Sequence, residues 1–483
     1  MYLTVAQMRK AEERAEKELG ISSLILMETA AYGAAQKIIA LEPKPKKIVV
    51  FTGNGGNGGD GYACARHLFV AGYNICVKPV FEVKNKGDAL INKEIAKKMG
   101  LISEENIIKL ANEADIIIDA VLGLGFNGKI LSEVLEYINI INEAPAIKIA
   151  LDGPTGVDLD TGLASEAVKA DLTLAFGAKK VGHVLLPGSE FCGKIEIINI
   201  SIPNNFFTPY LEELTEPEIA PRPIRSHKGT FGRVTAFAGS KKMPGAAVLL
   251  CRAAYKSGAG LVCAPVVPDV ARAIHNHLPE AIATQVLEKD GSYFDVYSAQ
   301  TEIDKSDAIA IGPGIGRLSD TMKFAADVIQ YTVSKKKPIV IDADALYALP
   351  NKINANAIIT PHPGEMSTLC GLSVQEILKD PVSIASNFAK KRGLVVVLKD
   401  ARSIISSPDG RNFVNTTGTA ALAKAGSGDV LTGVIAALLA QGYSALDAAV
   451  LGAYLHGKAG SKADLNERGV TASDLCEALG FKD

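Results

Sequence analysis

The chain of 483 residues is expected to be an α/β protein built from two doubly wound, three-layer domains. Three observations predict this. Short apolar runs alternate with helical stretches from end to end, the pattern of a largely parallel sheet covered on both faces. Glycine, proline and small polar residues gather directly after those runs, where such sheets bind ligands. A proline-rich stretch at 203–224 with little periodicity splits the alternation into two halves. Length agrees, since roughly 100 to 200 residues per domain leaves room for two to four.

Composition narrows the function. With 48% hydrophobic and 22% charged residues the chain is ordinary globular material. A net charge of −2 and a pI near 6.4 supply no basic field, so neither nucleic acid nor an anionic membrane is an expected partner. The seven cysteines are scattered and never form Cys-x-x-Cys, which predicts reduced thiols and a cytoplasmic location. The first residues mix both charges, so no signal peptide is expected, and no apolar run reaches membrane-spanning length. The seven histidines lack metal-ligand spacing, so a zinc site is not expected.

In the first half, residues 4–19 and 22–41 read as helices separated by Gly20, the second with apolar Leu24, Met27, Ala31, Ala34, Ala35, Ile38 and Ile39. Strand-like runs follow at 47–52, 74–80, 115–119, 146–151 and 170–175. The first leads into Gly53-Asn-Gly-Gly-Asn-Gly-Gly-Asp-Gly-Tyr62, the third into Asp119-Ala-Val-Leu-Gly-Leu-Gly-Phe-Asn-Gly-Lys129, and the fourth into Asp152-Gly-Pro-Thr-Gly-Val-Asp158. Gly53, Gly55 and Gly58 satisfy Gly-x-Gly-x-x-Gly, a pattern that ordinarily suggests redox use of a dinucleotide. Asn54, Asn57 and Asp60 crowd the place where a pyrophosphate needs bare N–H groups, so the loop suits polar oxygens or a cation better. Asn57, Asp119 and Thr155 could bring amide, carboxylate and hydroxyl oxygens to one point, and hard cations take oxygen ligands. The alternative for each is a loop cap.

These loops resemble the NAD(P)H-hydrate epimerase family, in Asn-Gly-Gly-Asp-Gly, in Asp-x-x-x-Gly-x-Gly and in the Asp152 motif. The likeness covers residues 1–205 and implies a Rossmann-like domain. It implies that Gly56, Asn57, Gly58, Gly59 and Asp60, with Gly123, Leu124, Gly125, Phe126, Asn127, Gly128 and Lys129, line the site for the hydrated nucleotide. Asn57, Asp119 and Thr155 would hold a potassium ion. Asp152 would touch the substrate and do the acid/base work as the hydroxyl changes face. Thr29 departs from the family's asparagine, which puts a contact from that helix in question.

Residues 206–221 read as a short, stiff linker. Beyond it, strand-like runs at 234–238, 307–311, 338–341, 357–359 and 394–398 end in polar or Gly/Pro loops, with a helix at 246–256. The last loop is the most informative. Gly426, Ser427 and Gly428 leave N–H groups unshielded at the mouth of an apolar helix, where a phosphate is favoured. Asp429 puts a carboxylate beside it, which suits removal of a proton from a hydroxyl that attacks phosphorus. The alternative is a Gly-rich turn with Asp429 capping the helix.

From residue 222 to 483 this order resembles the ribokinase-like superfold, and Thr360-Pro-His-Pro-Gly-Glu-Met366 is similar to the ADP- or ATP-dependent NAD(P)H-hydrate dehydratase family. The resemblance implies that Ala246, Gly314, His362, Pro363, Gly364, Glu365, Met366, Ser367 and Thr368 contact the hydrate and that Asp429 activates its hydroxyl. Lys399, Asp400, Ala401, Arg402 and Ser403 would hold the nucleotide. So would Thr419, Ala420, Ala421, Leu422, Ala423, Lys424, Ala425, Gly426, Ser427 and Gly428. Asp400 and Ala425 stand where the family has glycine. Asp342 and Asp344 could hold magnesium through water or cap a helix.

Both halves then point to reduced nicotinamide dinucleotide that has added water. The first domain would interconvert the R and S hydrates, and the second would dehydrate the S hydrate with ADP, or alternatively ATP, releasing AMP and phosphate. Potassium, magnesium and the nucleotide are the expected cofactors. Small-molecule substrates and copies of the same chain are the expected partners. The alternatives are a vitamin or sugar kinase of the same superfold fused to a nucleotide-binding module, and an interaction module without turnover.

Overall fold

The computed structural model describes residues 1–483 apart from 42–43, 45, 82–86, 127, 129, 218–220, 287, 290–291, 294, 354–355, 464–467 and 481–483. It divides into two compact units, Met1–Leu211 and Glu212–Asp483. Residues 206–221, expected as a linker, are shared between them. Phe206 and Phe207 are buried in the first unit's core, and Glu212–Glu213 forms an edge strand of the second.

The first unit holds a six-stranded sheet of β1 (Ile48–Thr52), β2 (Ile75–Pro79), β3 (Ile116–Ala120), β4 (Ile147–Leu151), β5 (Leu172–Phe176) and β6 (Lys194–Ile198). Their spatial order is β2-β1-β3-β4-β5-β6 and every pairing is parallel. The central strands β1 and β3 are apolar almost throughout and buried on both faces, as helix-covered parallel strands must be. Strand β6 goes unread in the sequence because it is a half-exposed edge, Lys-Ile-Glu-Ile-Ile.

Three helices matter for the site: α1 (Val5–Leu19), α2 (Ser23–Ile39) and α3 (Gly56–Val70). A Thr4/Gln7 capping box starts α1, and Gly20, in the left-handed region at φ 73°, ends it. Its Met8, Ala11 and Ala15 fall on one stripe and are buried.

The second unit holds a ten-stranded sheet. In chain order its strands are β7 (Glu212–Glu213), β8 (Arg233–Phe237), β9 (Leu261–Val266), β10 (Ile282–Gln285), β11 (Ala308–Ile311), β12 (Ile339–Ile341), β13 (Ala357–Ile359), β14 (Val395–Leu398), β15 (Ser403–Ser406) and β16 (Asn412–Asn415). The order is β10-β9-β8-β11-β12-β13-β14-β15-β16-β7. Strands β10 to β14 along that order are parallel, whereas β14, β15 and β16 form an antiparallel edge. The β15–β16 hairpin is short and polar at its ends, which hides it from a search for apolar runs. Strand β9 contains Pro265, but its pairing with β8 ends at Thr235↔Cys263, so the proline removes no bond on that side.

Helices α4 (Pro244–Lys256), α5 (Pro363–Cys370), α6 (Ser427–Ala440) and α7 (Ala445–Ala463) cover the site end of this sheet. Residues Val430 to Leu439 of α6 are all buried, as expected of a helix that is apolar on every side. Gly433 lets α6 lie against α4, because a Cβ there would come within 2.3 Å of the Leu250 carbonyl oxygen. Backbone cannot yield like a flexible side chain. Gly433→Ala is therefore expected to destabilise the second unit by about 1–3 kcal/mol, read as an earlier urea unfolding transition by circular dichroism.

Candidate active sites

In the first unit the strand order reverses between β1 and β3, so the loops after them diverge and open a crevice. Gly53 and Gly58 make the closure possible. A Cβ on Gly53 would meet the Val121 carbonyl oxygen at 2.0 Å, and one on Gly58 would meet the Gly53 carbonyl oxygen at 2.1 Å. The crevice leads into a cavity of about 930 Å³, lined from α1, α2, α3 and the ends of β3, β4 and β5.

Beside it lies an oxygen-rich cluster. The Thr155 hydroxyl donates to Asp119 Oδ1 at 2.7 Å and the Thr155 N–H to Asp119 Oδ2 at 2.8 Å. Thr155 Oγ1 in turn accepts from the Leu122 N–H at 3.0 Å. Asn57 Nδ2 donates to the Leu122 carbonyl at 2.9 Å, while Asn57 Oδ1 is buried with no hydrogen-bond partner. Burial pushes the Asp119 carboxyl up to about 6 against the opposing effect of its Thr155 bonds. A desolvated carboxylate beside an unused amide oxygen fits a hard cation. Asp119 and Thr155 are in direct contact, and Asn57 joins them through the Leu122 backbone.

At the floor stands Asp152, whose backbone sits in the left-handed region at φ 60°, a costly conformation for a residue with a side chain. Several contacts hold it there. Asp152 Oδ1 accepts from the Phe176 N–H at 2.9 Å and forms an ion pair with Lys180 Nζ. Lys180 is fully buried and also donates to the Phe176 carbonyl at 2.8 Å. His183 Nδ1 accepts from the Lys180 N–H at 3.0 Å, which leaves Nε2 to donate to the Asp152 carbonyl at 2.8 Å. Burial, aided by Lys180, lowers His183 to about 4, so the ring is neutral.

Two further carboxyls share the cavity. Burial, reinforced by Asp152, pushes Glu12 up to about 7. Burial, with Asp152 and Glu12 adding to it, raises Asp60 well above its ordinary value.

Of the residues read from the sequence, Gly56, Asn57, Asp60, Gly123, Leu124, Gly125, Phe126 and Asp152 line the cavity. Gly58 and Gly59 do not: both are buried, and Gly59 faces the Met27 side chain and Ala89. Gly128 is exposed on the outer part of its loop, and Asn127 and Lys129 lie outside the described residues. From α2 the cavity receives Ser23, Leu26, Met27 and Ala30; Thr29 instead donates to the Ile25 carbonyl at 2.8 Å.

In the second unit the strand order reverses between β8 and β11, where the Gly239 N–H donates to the Pro313 carbonyl at 2.7 Å. Gly314, at φ 67°, lies against Ala246, a Cβ there reaching 2.9 Å from the Ala246 Cβ. The loops after β12, β13 and β14 converge on the start of α6. Lys399 Nζ donates to Asp342 Oδ1 at 2.9 Å and stands 4.0 Å from Glu365 Oε2. The Thr432 hydroxyl donates to Asp342 Oδ2 at 2.8 Å. Burial would lower Lys399, but Asp342 and Glu365 outweigh it and the ammonium is raised. Burial, with Asp342 adding to it and Lys399 opposing, pushes the Asp429 carboxyl up to about 7.

Gly426 caps α6 in the left-handed region at φ 88°. Ser427 is held from below by buried His456, whose Nε2 lies 3.1 Å from Ser427 Oγ and 3.0 Å from its carbonyl oxygen. Burial lowers His456 to about 4.

His362 serves as the N-cap of α5: its Nδ1 accepts from the Gly364 N–H at 3.0 Å and the Glu365 N–H at 3.3 Å, while Glu365 accepts from the His362 N–H. The rest of its side chain is exposed. Pro363, Gly364, Ser367 and Thr368 lie on the first turns of α5, whereas Met366 is fully buried. Asp400, Ala401 and Arg402 form the turn between β14 and β15, and Arg402 Nε is buried without a partner. Thr419 caps the short turn of Ala420 to Leu422, in which Ala421 is buried. Lys424 donates to the Arg468 carbonyl at 2.9 Å. Asp344 is engaged by Arg317 at 2.7 Å and by the Gly316 N–H, so it does not pair with Asp342 around a common point.

Two family models match the chain. The model described as NAD(P)H-hydrate dehydratase matches residues 234–480, and that of the YjeF-related protein N-terminus matches 23–182. The bifunctional NAD(P)H-hydrate repair enzyme of Moorella thermoacetica is 35% identical, over 100% of this chain and 96% of its own. That of Thermofilum pendens is 32% identical over 98% and 94%. The chain belongs to the bifunctional NAD(P)H-hydrate repair enzymes. It joins an NAD(P)H-hydrate dehydratase to an epimerase, and the kinase alternative is not favoured. Among solved structures, the ADP/ATP-dependent NAD(P)H-hydrate dehydratase of Bacillus subtilis, crystallised with ATP and magnesium, is 32% identical with a TM-score of 0.45, covering 54% of this chain and 92% of that one.

Sequence reasoning missed Lys180 and Glu12. Lys180 belongs to no motif; it is placed by the pairing of Tyr2–Leu3 with Lys179–Lys180. Glu12 had a signal, since Arg9, Glu12, Glu13 and Glu16 fall on one helical face. Lys180→Met is expected to cost the first unit about 3–5 kcal/mol by leaving Asp152 buried without its cation. Adding Asp152→Asn, which keeps an acceptor for the Phe176 N–H and tolerates the left-handed backbone, should recover much of that loss in urea unfolding, since no charge is then stranded.

Proposed function

We propose that the first unit epimerises the R and S hydrates of NADH and NADPH in its cavity. The second dehydrates the S hydrate, with ADP, or alternatively ATP, as phosphate donor. The observation that carries the reading is Asp429, a carboxyl tuned to about 7 by burial, standing at the mouth of an anion-binding helix beside Lys399.

Asp429 takes the proton of the substrate hydroxyl as its oxygen attacks the terminal phosphorus of the nucleotide. The first-turn amides of Gly428 and Asp429 make no intrahelical bond and face the transferring group. Lys399 supplies positive charge, and Asp342 holds it in place. Phosphate then leaves from the substrate carbon, pushed by the ring-nitrogen lone pair. The departing phosphate takes one proton from the adjacent carbon, which restores the double bond, and with ADP the products are the reduced cofactor, phosphate and AMP. His456 keeps Ser427 and hence the loop in register. Magnesium is expected to arrive with the nucleotide phosphates. Among the described residues no group of three or more His, Cys, Asp or Glu could hold a metal, and Asp342 is occupied by Lys399 and Thr432.

In the first unit, Asn57, Asp119 and Thr155 would hold a potassium ion, which supplies positive charge beside the substrate. Gly55 and Gly56 are exposed at the start of α3 and suit the anionic part of the dinucleotide. The acid-rich face of α1 suits its uncharged ring. Asp152 takes part in proton transfer. We also infer a cytoplasmic enzyme that assembles with copies of itself; the seven free cysteines support the location alone.

The deciding experiment mixes the chain with racemic NADH hydrate, magnesium, potassium and either ADP or ATP, and follows the return of reduced-nicotinamide absorbance. Recovery of nearly all the material is expected with one nucleotide; recovery of half would mean a silent epimerase. Asp429→Asn is expected to lower dehydration ~10²- to 10⁴-fold. Because Asp429 must be ionised to act as a base, the wild-type rate should rise with pH through about 7 and then level. Unchanged turnover in the variant would remove Asp429 from the mechanism. Asp119→Ala should abolish the potassium dependence of epimerisation together with most of its rate, measured without nucleotide; full epimerisation would refute the cation site.

A further inference from the structure

We propose that Glu12 is the second proton-transfer group of the first unit's reaction, serving the ring nitrogen of the hydrate while Asp152 serves its hydroxyl. The proposal rests on the epimerase reading of that cavity. Hydration of an enamine double bond leaves the hydroxyl on the carbon bonded to nitrogen. Such a hydroxyl can change face by opening and reclosing the ring. Opening needs a proton taken from oxygen and one given to nitrogen, so a single carboxylate does not suffice.

The cavity offers two. Asp152 pairs with Lys180 just after β4, and Glu12 reaches the same cavity from α1. Glu12 sits on a rigid element, since Met8, Ala11 and Ala15 of the same helix are packed in the core. The Val5 N–H at its start donates to Asp160 Oδ1 at 2.6 Å. Its carboxyl has no hydrogen bond or ion pair among the described residues; Arg9, one turn earlier, donates instead to the Leu124 carbonyl at 3.4 Å. Of the acids on the same helical face, Glu13 and Glu16 are exposed, as is Glu133 on the opposite wall, and Glu12 is half-buried. Asp88 lies in the first turn of its own helix, at the edge of the cavity.

The charges that act on Glu12 are Asp152, Lys180 and Arg9, and Asp60 on α3 faces the same space. With burial they bring it to about 7, where it can both give and take a proton at neutral pH. Asp60 is raised as well, by burial first and then by the negative charges of Asp152 and Glu12.

The step balances. Asp152 takes the hydroxyl proton, the oxygen electrons form a carbonyl, the carbon–nitrogen bond breaks, and nitrogen takes the proton of Glu12. Rotation about the adjoining carbon–carbon bond presents the other carbonyl face. Glu12 then removes the N–H proton as nitrogen re-attacks, and Asp152 returns a proton to oxygen. Nothing is consumed, and both carboxyls end as they began.

The test is Glu12→Gln in the full chain, with interconversion of the separated hydrates followed without nucleotide. Dehydration of the S hydrate with ADP serves as a control in the same molecule. We expect kcat for interconversion to fall ~10²- to 10⁴-fold with KM little changed and dehydration intact. Because the reactive free enzyme carries a protonated Glu12, wild-type activity should decline as pH rises through about 7, and that limb should vanish in the variant. Interconversion within a few-fold of wild type, a change in KM alone, or a retained limb would overturn the proposal. If Glu12→Gln lowers the unfolding transition, Glu12→Asp decides: a displaced limb supports the role and an unmoved one overturns it. A wild-type chain that dehydrates the S hydrate but interconverts nothing would fail the epimerase reading itself, and the proposal with it.

Discussion

In each unit one lysine ammonium is set among more carboxyls than it can neutralise, in a place where water is scarce. Lys180 pairs with Asp152 while Glu12 and Asp60 share its cavity; Lys399 pairs with Asp342 while Glu365 and Asp429 stand near. One carboxylate in each unit has its counter-ion in direct contact. The next carboxyl meets desolvation and a neighbouring negative charge, and both raise it, Glu12 and Asp429 alike to about 7. Environments that push like groups apart are how one residue type comes to supply both an acid and a base at neutral pH. Without either lysine the partner carboxylate would be stranded, and the division of roles would collapse with it.

The backbone makes that crowding possible. Parallel strands end together, so the residues after them converge on one side of the sheet, and at the switch point the loops part to leave a crevice. Close approach then requires glycine where backbone meets backbone, as at Gly53 and Gly58 in the first unit. Asp152 accepts a left-handed conformation at the same level, held by Phe176, Lys180 and His183. Such strain persists only where surrounding contacts over-determine it. The conformation itself is thus a sign that the position of this carboxylate matters more than its local energy.

Much of this was legible in the sequence, and the parts that were not share a cause. The buried parallel strands announced themselves as apolar runs, and the residues just after them carried the Asp119–Thr155 oxygen cluster and the glycine-rich start of α6. Strands β6, β15 and β16 were silent because edges and short hairpins carry no long apolar run. Lys180 was silent because a pairing with Tyr2–Leu3, distant in sequence, brings it under Asp152. His362 drew attention as a histidine between prolines, yet Pro363 at the first helical position and Glu365 two residues later make it a cap, with Nδ1 spent on the α5 amides. Gly59 belongs to a glycine-rich motif but faces Met27, because on a helix adjacent residues point in different directions.

The two units differ where their chemistries differ. An epimerisation returns every atom to the substrate, so its site needs groups that exchange protons and recover their starting states; a cavity lined by several carboxyls suits that, with no phosphoryl group to transfer. A dehydration at neutral pH must instead create a leaving group, since hydroxide is a poor one. That demands free N–H donors and a fixed cation around a transferring phosphoryl group, with a single base beside them. The helix mouth at Gly426 to Asp429, backed by Lys399, has that composition, and one base suffices because the reaction runs away from its starting point once phosphate departs. The same sheet architecture suits both tasks, and the difference lies in what surrounds the strand ends: a carboxyl-lined cavity, with Glu12 contributed by α1, in one unit and a helix N-terminus with its lysine in the other.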